Sequence, residues 1–255
     1  MQIVPGAEPL SHDGSRVGVL VQHGFTGHPG SMRGIAERCV EQGWSVRLPR
    51  LPGHGTTWQD LNTRTWPEWY AEVAAAFAEL RERCDVVVAV GMSMGGSLVT
   101  LLAEEQGDAL DGLALINPAY KLPDPRLRVV GLAKYVVPSL AGLGDDIKKP
   151  GVTEGAYDRT PLRALHSALA MWKQVTRDLP QVTQPVLLLH SPQDHTVHPS
   201  NSELFLSRIS STDVTDVVLE NSYHVATLDY DAELIEDRIV EFVRRLAGEP
   251  AQEGA

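Results

Sequence analysis

The chain has 255 residues, 43% of them hydrophobic, and a formal net charge of −11. That length and apolar content suit one large core, or a core with a modest subdomain. The acidic balance, with no long run of like charge, argues against nucleic acid as a partner, since phosphate binding needs a basic face, and against strong attraction to anionic lipid. The first residues have neither a basic n-region nor an apolar core, so no secretory leader is expected. No apolar stretch reaches about 18 residues, so no transmembrane segment is expected either. Cys39 and Cys84 lie in different elements without metal or redox spacing. They read as buried thiols of a reducing compartment, and the expected location is the cytoplasm.

In chain order, the first expected strand is V-G-V-L-V-Q over 17–22. It runs into H-G-F-T-G (23–27), where Gly24 and Gly27 free the backbone to turn and Phe25 can present its N–H. A second strand, W-S-V-R-L-P (44–49), leads to another glycine-rich loop, L-P-G-H-G (51–55), read as structural. Over 65–80, Trp69, Val73, Phe77 and Leu80 fall on one helical face, and Thr65 and Glu68 have capping-box spacing. The run D-V-V-V-A-V-G (85–91) is a third strand, apolar without alternation, as suits a parallel strand covered on both faces. It ends in G-M-S-M-G (91–95), and a helical pattern follows at once. This is the context in which G-x-S-x-G places a serine, here Ser93, on a sharp turn above the N-terminus of a helix. The pentapeptide alone arises by chance in about one chain in ten of this length; the strand–turn–helix setting is what makes it specific.

G-L-A-L-I-N (112–117) is the fourth strand. From there to Pro185 no convincing strand is legible, a gap far longer than the 10–12 residues a crossover needs. The gap is rich in apolar residues, so 118–184 is expected to form a small, mostly helical cap. Thr160 and Pro161 read as the N-cap and early proline of one of its helices. The core is then discontinuous, 1–117 and 185–255. P-V-L-L-L-H-S (185–191) ends in a loop carrying Asp194, and V-T-D-V-V-L-E (214–220) ends in a loop carrying His224. A last helix, 231–246, presents Ile235, Ile239, Phe242, Val243 and Leu246 on one face. The segment 247–255 is expected to fray. Strands alternating with helices predict a doubly wound, mostly parallel sheet.

A serine hydroxyl needs a base to become a nucleophile. The order Ser93, Asp194, His224 is the one expected after this elbow, and successive parallel strands carry their loops to one sheet edge. His224 is the candidate base, Asp194 the residue that orients it. Met94 N–H and Phe25 N–H are the candidate oxyanion donors. D-H-x-x-H around Asp194 offers His195 and His198 as alternative metal ligands, but there is no helical frame or third ligand, so no metal or other cofactor is expected.

These motifs resemble the α/β-hydrolase family of serine esterases, and more narrowly its bacterial monoacylglycerol lipases and the carboxylesterases of similar size. The resemblance spans roughly 15–246. Its sharpest parts are N-S-Y-H-V-A-T-L-D-Y-D (221–231) and D-I-K-K-P-G-V-T-E-G-A-Y-D-R-T-P (146–161). It implies an α/β-hydrolase fold with an inserted cap and the triad Ser93, Asp194 and His224. It further implies Glu154 as a ligand to the glycerol hydroxyls and Leu143 on the alcohol side of the pocket. The implied reaction cleaves a small amphiphilic ester, a monoacylglycerol, to fatty acid and glycerol through an acyl-enzyme. Transient contact of the cap with a lipid interface would bring the enzyme to such a substrate. A broad short-chain carboxylesterase remains the alternative. More remote are a carbon–carbon bond hydrolase and a non-catalytic receptor on the same fold. Oligomeric state is not legible.

Overall fold

The computed structural model describes residues 2–250 except 123, 125, 126, 128, 143 and 144. Elements follow as β1 (Leu10–His12), β2 (Val17–Gln22), α1 (Arg33–Glu41), β3 (Ser45–Leu48), α2 (Trp58–Leu61), α3 (Trp66–Arg81), β4 (Val86–Met92), α4 (Met94–Gln106) and β5 (Gly112–Ile116). Then come α5 (Val130–Ala133), β6 (Ser139–Ala141), β7 (Arg159–Pro161), α6 (Leu162–Asp178), β8 (Val186–His190), α7 (Ser200–Leu206), β9 (Val214–Val218) and α8 (Ala232–Ala247). All six strands expected of the main sheet form. The order is β1-β3-β2-β4-β5-β8-β9, parallel throughout except for β1, which pairs antiparallel with β3. β1 is three residues long, too short to carry a periodic signal.

The unalternating apolar strands are explained by two covered faces. Leu20, Val87, Ala89, Leu113, Leu115 and Leu188 point to one layer, filled by α3, α4 and α6. Their neighbours Val19, Val21, Val88, Val90, Ala114, Ile116 and Leu189 point to the other, filled by α1 and α8. Helix α3 starts on the expected capping box, with Thr65 and Glu68 reciprocally bonded, and buries Trp69, Val73, Phe77 and Leu80. Helix α8 stops at Gly248, whose φ of 67° gives it the left-handed C-cap.

The segment between β5 and β8 holds more than helix. β6 and β7 pair as an antiparallel ribbon of three-residue strands. Thr160 lies in that ribbon, and α6 begins one residue beyond Pro161, so Pro161 and not Thr160 occupies the N-cap position. Helix α6 buries Leu165, Ala168, Met171, Trp172 and Val175 in the layer that α4 also fills. The Trp172 indole N–H donates to Ser97 Oγ at 2.9 Å. Cys39 and Cys84 are free and buried, and burial pushes the Cys39 thiol up to about 12. Among the described residues no helix is long and apolar enough to cross a membrane.

The sheet places the site. From β2 the chain passes to β3 on one side and then to β4 on the other, so the connections diverge at β2 and β4. A crevice opens beyond the carboxyl ends of strands at such a point. The H-G-F-T-G loop follows β2 and Ser93 follows β4.

Candidate active site

β4 ends at Met92 and α4 starts at Met94, leaving Ser93 as the single residue of the turn. Its φ of 55° and ψ of −122° lie where L-residues are rarely found. Such a conformation costs about 1–3 kcal/mol and persists only where surroundings enforce it. Here the Ser93 N–H donates to the Ile116 carbonyl at 3.0 Å, and the Ser93 carbonyl accepts from Ala119 N–H at 3.1 Å. The flanking glycines serve close approach. A Cβ at Gly91 would lie 2.5 Å from the Gly95 carbonyl oxygen, and one at Gly95 would collide with the Gln22 and His23 carbonyls.

His224, on the loop after β9, points Nε2 at Ser93 Oγ across 3.0 Å and Nδ1 at Asp194 Oδ2 across 2.7 Å. Asp194 is buried, and its Oδ1 accepts from the N–H groups of Thr196 (2.9 Å) and Val197 (2.6 Å). With that oxygen engaged by backbone donors, Oδ2 is left to accept Nδ1–H from the imidazole. The network therefore assigns the tautomer whose Nε2 lone pair faces the serine hydroxyl. Burial alone would depress the His224 pKa. The opposed charge and hydrogen bond of Asp194, with smaller contributions from Glu154 and Asp146, hold it above the ordinary 6.5. An imidazole so placed can take the serine proton and hold it as imidazolium.

Phe25 borders the same cleft, and Met94 follows Ser93 directly in the chain. Met94 is the first residue of α4, where N–H groups have no intrahelical acceptor. The H-G-F-T-G loop turns differently from the expectation. Thr26, at φ 62°, takes the left-handed position, and neither Gly24 nor Gly27 does. Space around both glycines is tight: a Cβ on Gly24 would lie 3.1 Å from Ser93 Cβ, and one on Gly27 would run into Oε1 of Glu154 and displace that carboxyl. His23 holds the loop from behind. Its Nε2 accepts Leu51 N–H at 3.2 Å and its Nδ1 donates to the Gly24 carbonyl at 3.0 Å, which joins this loop to L-P-G-H-G. His54 of that second loop is buried with its ring edge-on to Trp69 at 5.6 Å, and burial depresses its pKa to about 3.

Glu154 lies in the cleft wall with Gly24, Phe25, Ser93 and His224. Burial lifts its pKa from 4.5 to about 7, against the pull of His224 and Ser31. The cleft holds about 40 Å³, room for a few waters, and Leu122, Leu165, Trp172 and Val197 make its apolar side. A surface groove of about 1170 Å³, between Tyr120 and Arg208, lies beyond Leu122 and Trp172, which line both spaces. Leu143, expected on the alcohol side, lies outside the described residues. His195 and His198 do not converge: His195 Nδ1 meets Asp146 Oδ1 at 2.9 Å, and His198 Nδ1 accepts from Ser200 N–H.

Two further residues hold this site in roles that sequence reasoning did not assign. Asn117 directly follows β5 at φ 42°; its amide nitrogen donates to the His224 carbonyl at 2.8 Å and its oxygen accepts from Ser191 N–H at 2.7 Å. Asp229 accepts from the N–H groups of Tyr223, Lys148 and Lys149 at 2.7–3.0 Å. A non-glycine at a left-handed strand end, such as an Asn before proline, is the one local hint that could have singled out Asn117.

Comparison with known proteins agrees over nearly the whole length. The model of the Hydrolase_4 family (serine aminopeptidase, S33) matches residues 14–231. The thermostable monoacylglycerol lipase of Bacillus sp. (strain H-257) is 40% identical over 249 residues, 96% of this chain and 98% of the relative. The carboxylesterase of Bacillus subtilis (strain 168) is 22% identical over 94% of this chain and 97% of its own. A solved chain reported with LipS and LipT, two metagenome-derived lipolytic enzymes, superposes with a TM-score of 0.93 at 44% identity, covering 96% of this chain and 100% of that one. The monoacylglycerol lipase of Paleococcus ferrophilus has the same fold, with a TM-score of 0.80 at 20% identity over 96% and 100% of the two chains.

Proposed function

The chain belongs to the Hydrolase_4 family of α/β-hydrolases, and on that premise we propose that it is a carboxylic ester hydrolase that cleaves monoacylglycerol to fatty acid and glycerol. The observation that carries the reading is the relay from Ser93 through His224 to Asp194, at 3.0 and 2.7 Å, opening on a cleft with one apolar wall and one carboxyl group. Ser93 Oγ attacks the ester carbonyl carbon while its proton passes to His224 Nε2. The carbonyl oxygen, now an oxyanion, faces the N–H groups of Phe25 and Met94. His224 returns the proton to the departing glycerol oxygen, and the acyl group remains on Ser93. Water, deprotonated by the same imidazole, then releases the fatty acid. Asp194 stays ionised throughout and stabilises the imidazolium.

Glu154 supplies alcohol recognition in this reading. With a pKa of about 7 it is present in both forms near neutrality, and either form accepts a hydrogen bond from a glycerol hydroxyl. The acyl chain would lie along Leu122, Leu165 and Trp172, at about 0.8 kcal/mol per buried CH₂. The cleft is narrow, about 40 Å³, so movement of this wall would ease entry of a long chain.

The 118–184 segment acts as the cap. It bears ten Lys and Arg against six Asp and Glu, opposite in sign to the chain as a whole. It also exposes Leu132, Tyr135, Val136 and Leu140. That combination suits brief contact with a lipid interface from which the substrate is drawn. The two unpaired, buried thiols favour the cytoplasm as its location.

The test compares kcat/KM on a monoacylglycerol and on the methyl ester of the same acyl chain, with Ser93→Ala as control. The acyl pocket is then common to both and only the alcohol differs. A glyceryl preference of about tenfold, roughly 1.4 kcal/mol, that disappears in Glu154→Ala supports the reading. Equal rates on the two esters would make the enzyme a general carboxylesterase.

A further inference from the structure

Asp146 stands between the two loops that carry Asp194 and His224. Its Oδ2 accepts from the backbone N–H of His195 at 2.9 Å and from that of His224 at 3.3 Å. Its Oδ1 lies 2.9 Å from His195 Nδ1, and its own carbonyl accepts from Val225 N–H at 3.1 Å. One residue thus grips the neighbour of the orienting acid, the base itself and the residue after the base. The carboxylate is largely buried, with a side-chain exposure of 12%. Its own segment is pinned in turn, because Asp229 accepts from Lys148 and Lys149 N–H while also holding Tyr223 N–H. This segment, 145–149, belongs to the stretch inserted between β5 and β8.

We propose that Asp146 is a positioning residue: its carboxylate sets the spacing of the acid and base loops and places negative charge behind the His224 imidazole. The proposal rests on the roles assigned to Ser93, Asp194 and His224 above. The titratable groups around the imidazole are the carboxyls of Asp194, Glu154 and Asp146. Around Asp146, His195 is the direct partner. The Lys148 ammonium turns to Gln193 Oε1 at 3.3 Å and to the Tyr223 ring, and Asp145 is taken up by Thr153 and the Glu154 N–H.

Removing the Asp146 charge makes the imidazolium less stable, so neutral His224 persists to lower pH. The experiment is steady-state kinetics of Asp146→Asn and Asp146→Ala on a soluble p-nitrophenyl ester, with kcat, KM and the pH profile of kcat/KM. In Asp146→Asn, kcat should fall by about tenfold, as for a small misplacement of reacting groups, with KM steady and the acid limb displaced to lower pH. Asp146→Ala should lose more kcat with the same displacement. The limb's position does not depend on the fraction of molecules folded, so a partly unfolded variant still reports it. An acid limb in the wild-type position in both variants overturns the proposal. Ser93→Ala separates the two readings: if it still turns over substrate, the underlying assignment fails. If it is inactive while Asp146→Asn behaves as wild type, only the role of Asp146 fails.

Discussion

Replacing Ser93 with glycine should make the protein more stable than replacing it with alanine, although both variants lose the proposed nucleophile. Either change removes the hydroxyl and its 3.0 Å contact with His224 Nε2, so that loss cancels in the comparison. What differs is the Cβ. Alanine must keep the φ of 55° and ψ of −122° that the turn between β4 and α4 imposes. The strain at such a position is about 1–3 kcal/mol, and glycine does not feel it. Against this, glycine loses about 0.5–1 kcal/mol more chain entropy on folding. The net advantage of glycine is then about 0.5–2 kcal/mol. With an unfolding entropy near 0.5 kcal/mol/K for a chain of this length, the difference in Tm is about 1–4 °C. Differential scanning calorimetry of the two variants in one buffer measures it. A Ser93→Gly protein that melts at or below Ser93→Ala would refute the view that this turn stores strain to lift the serine into the cleft.

The proposed triad and one buried carboxylate lead to further expectations. Ser93→Ala and His224→Ala should each lower kcat by roughly 10⁴- to 10⁶-fold, and the double variant by little more, because the groups act as a unit; additive losses in a single-turnover assay would sink the assignment. Glu104 is buried on α4 and neither carboxyl oxygen has a hydrogen-bond partner among the described residues; burial, then repulsion from Asp178 and Glu105, lifts its pKa from 4.5 to about 9. The folded state therefore favours the protonated form, and its contribution to stability is complete below pH 4.5 and is lost as pH rises towards 9. Glu104→Met should raise Tm more at pH 8 than at pH 5, and an equal gain at both values would count against a raised pKa.

Much of the architecture is legible because it is encoded locally. The Thr65–Glu68 box, the face formed by Trp69, Val73, Phe77 and Leu80, and the unalternating V-V-V-A-V each lie within a window of a few turns or one strand. The elbow around Ser93 is of the same kind, since the two nearby glycines and the helix that follows lie in one short stretch. Short elements escaped. β1, β6 and β7 have three residues each, and three residues show no period. The surroundings of Gly24 and Gly27 are hidden for a different cause: the sequence shows that a side chain is absent, but the atoms that would crowd one belong to Ser93 in one case and Glu154 in the other.

By itself, the sequence determined which segments become strands and helices, the place of the sharp turn, and the chain order of a serine, an acid and a histidine at strand ends. Backbone periodicity, caps and the rule that parallel strands share one edge are enough for that. Only the tertiary structure decided that β2 and β4 open the crevice, that Asn117 and Asp146 hold the loops of the relay, and that Glu154 is drawn into the cleft with its pKa near 7. Those outcomes depend on desolvation and on hydrogen bonds across large separations: His224 N–H meets a carboxylate 78 residues away, and its imidazole meets a hydroxyl 131 residues away. A carboxylate's role follows from the groups that surround it in space, and those neighbours are settled only when the sheet closes its strand order and the inserted segment folds back over its edge.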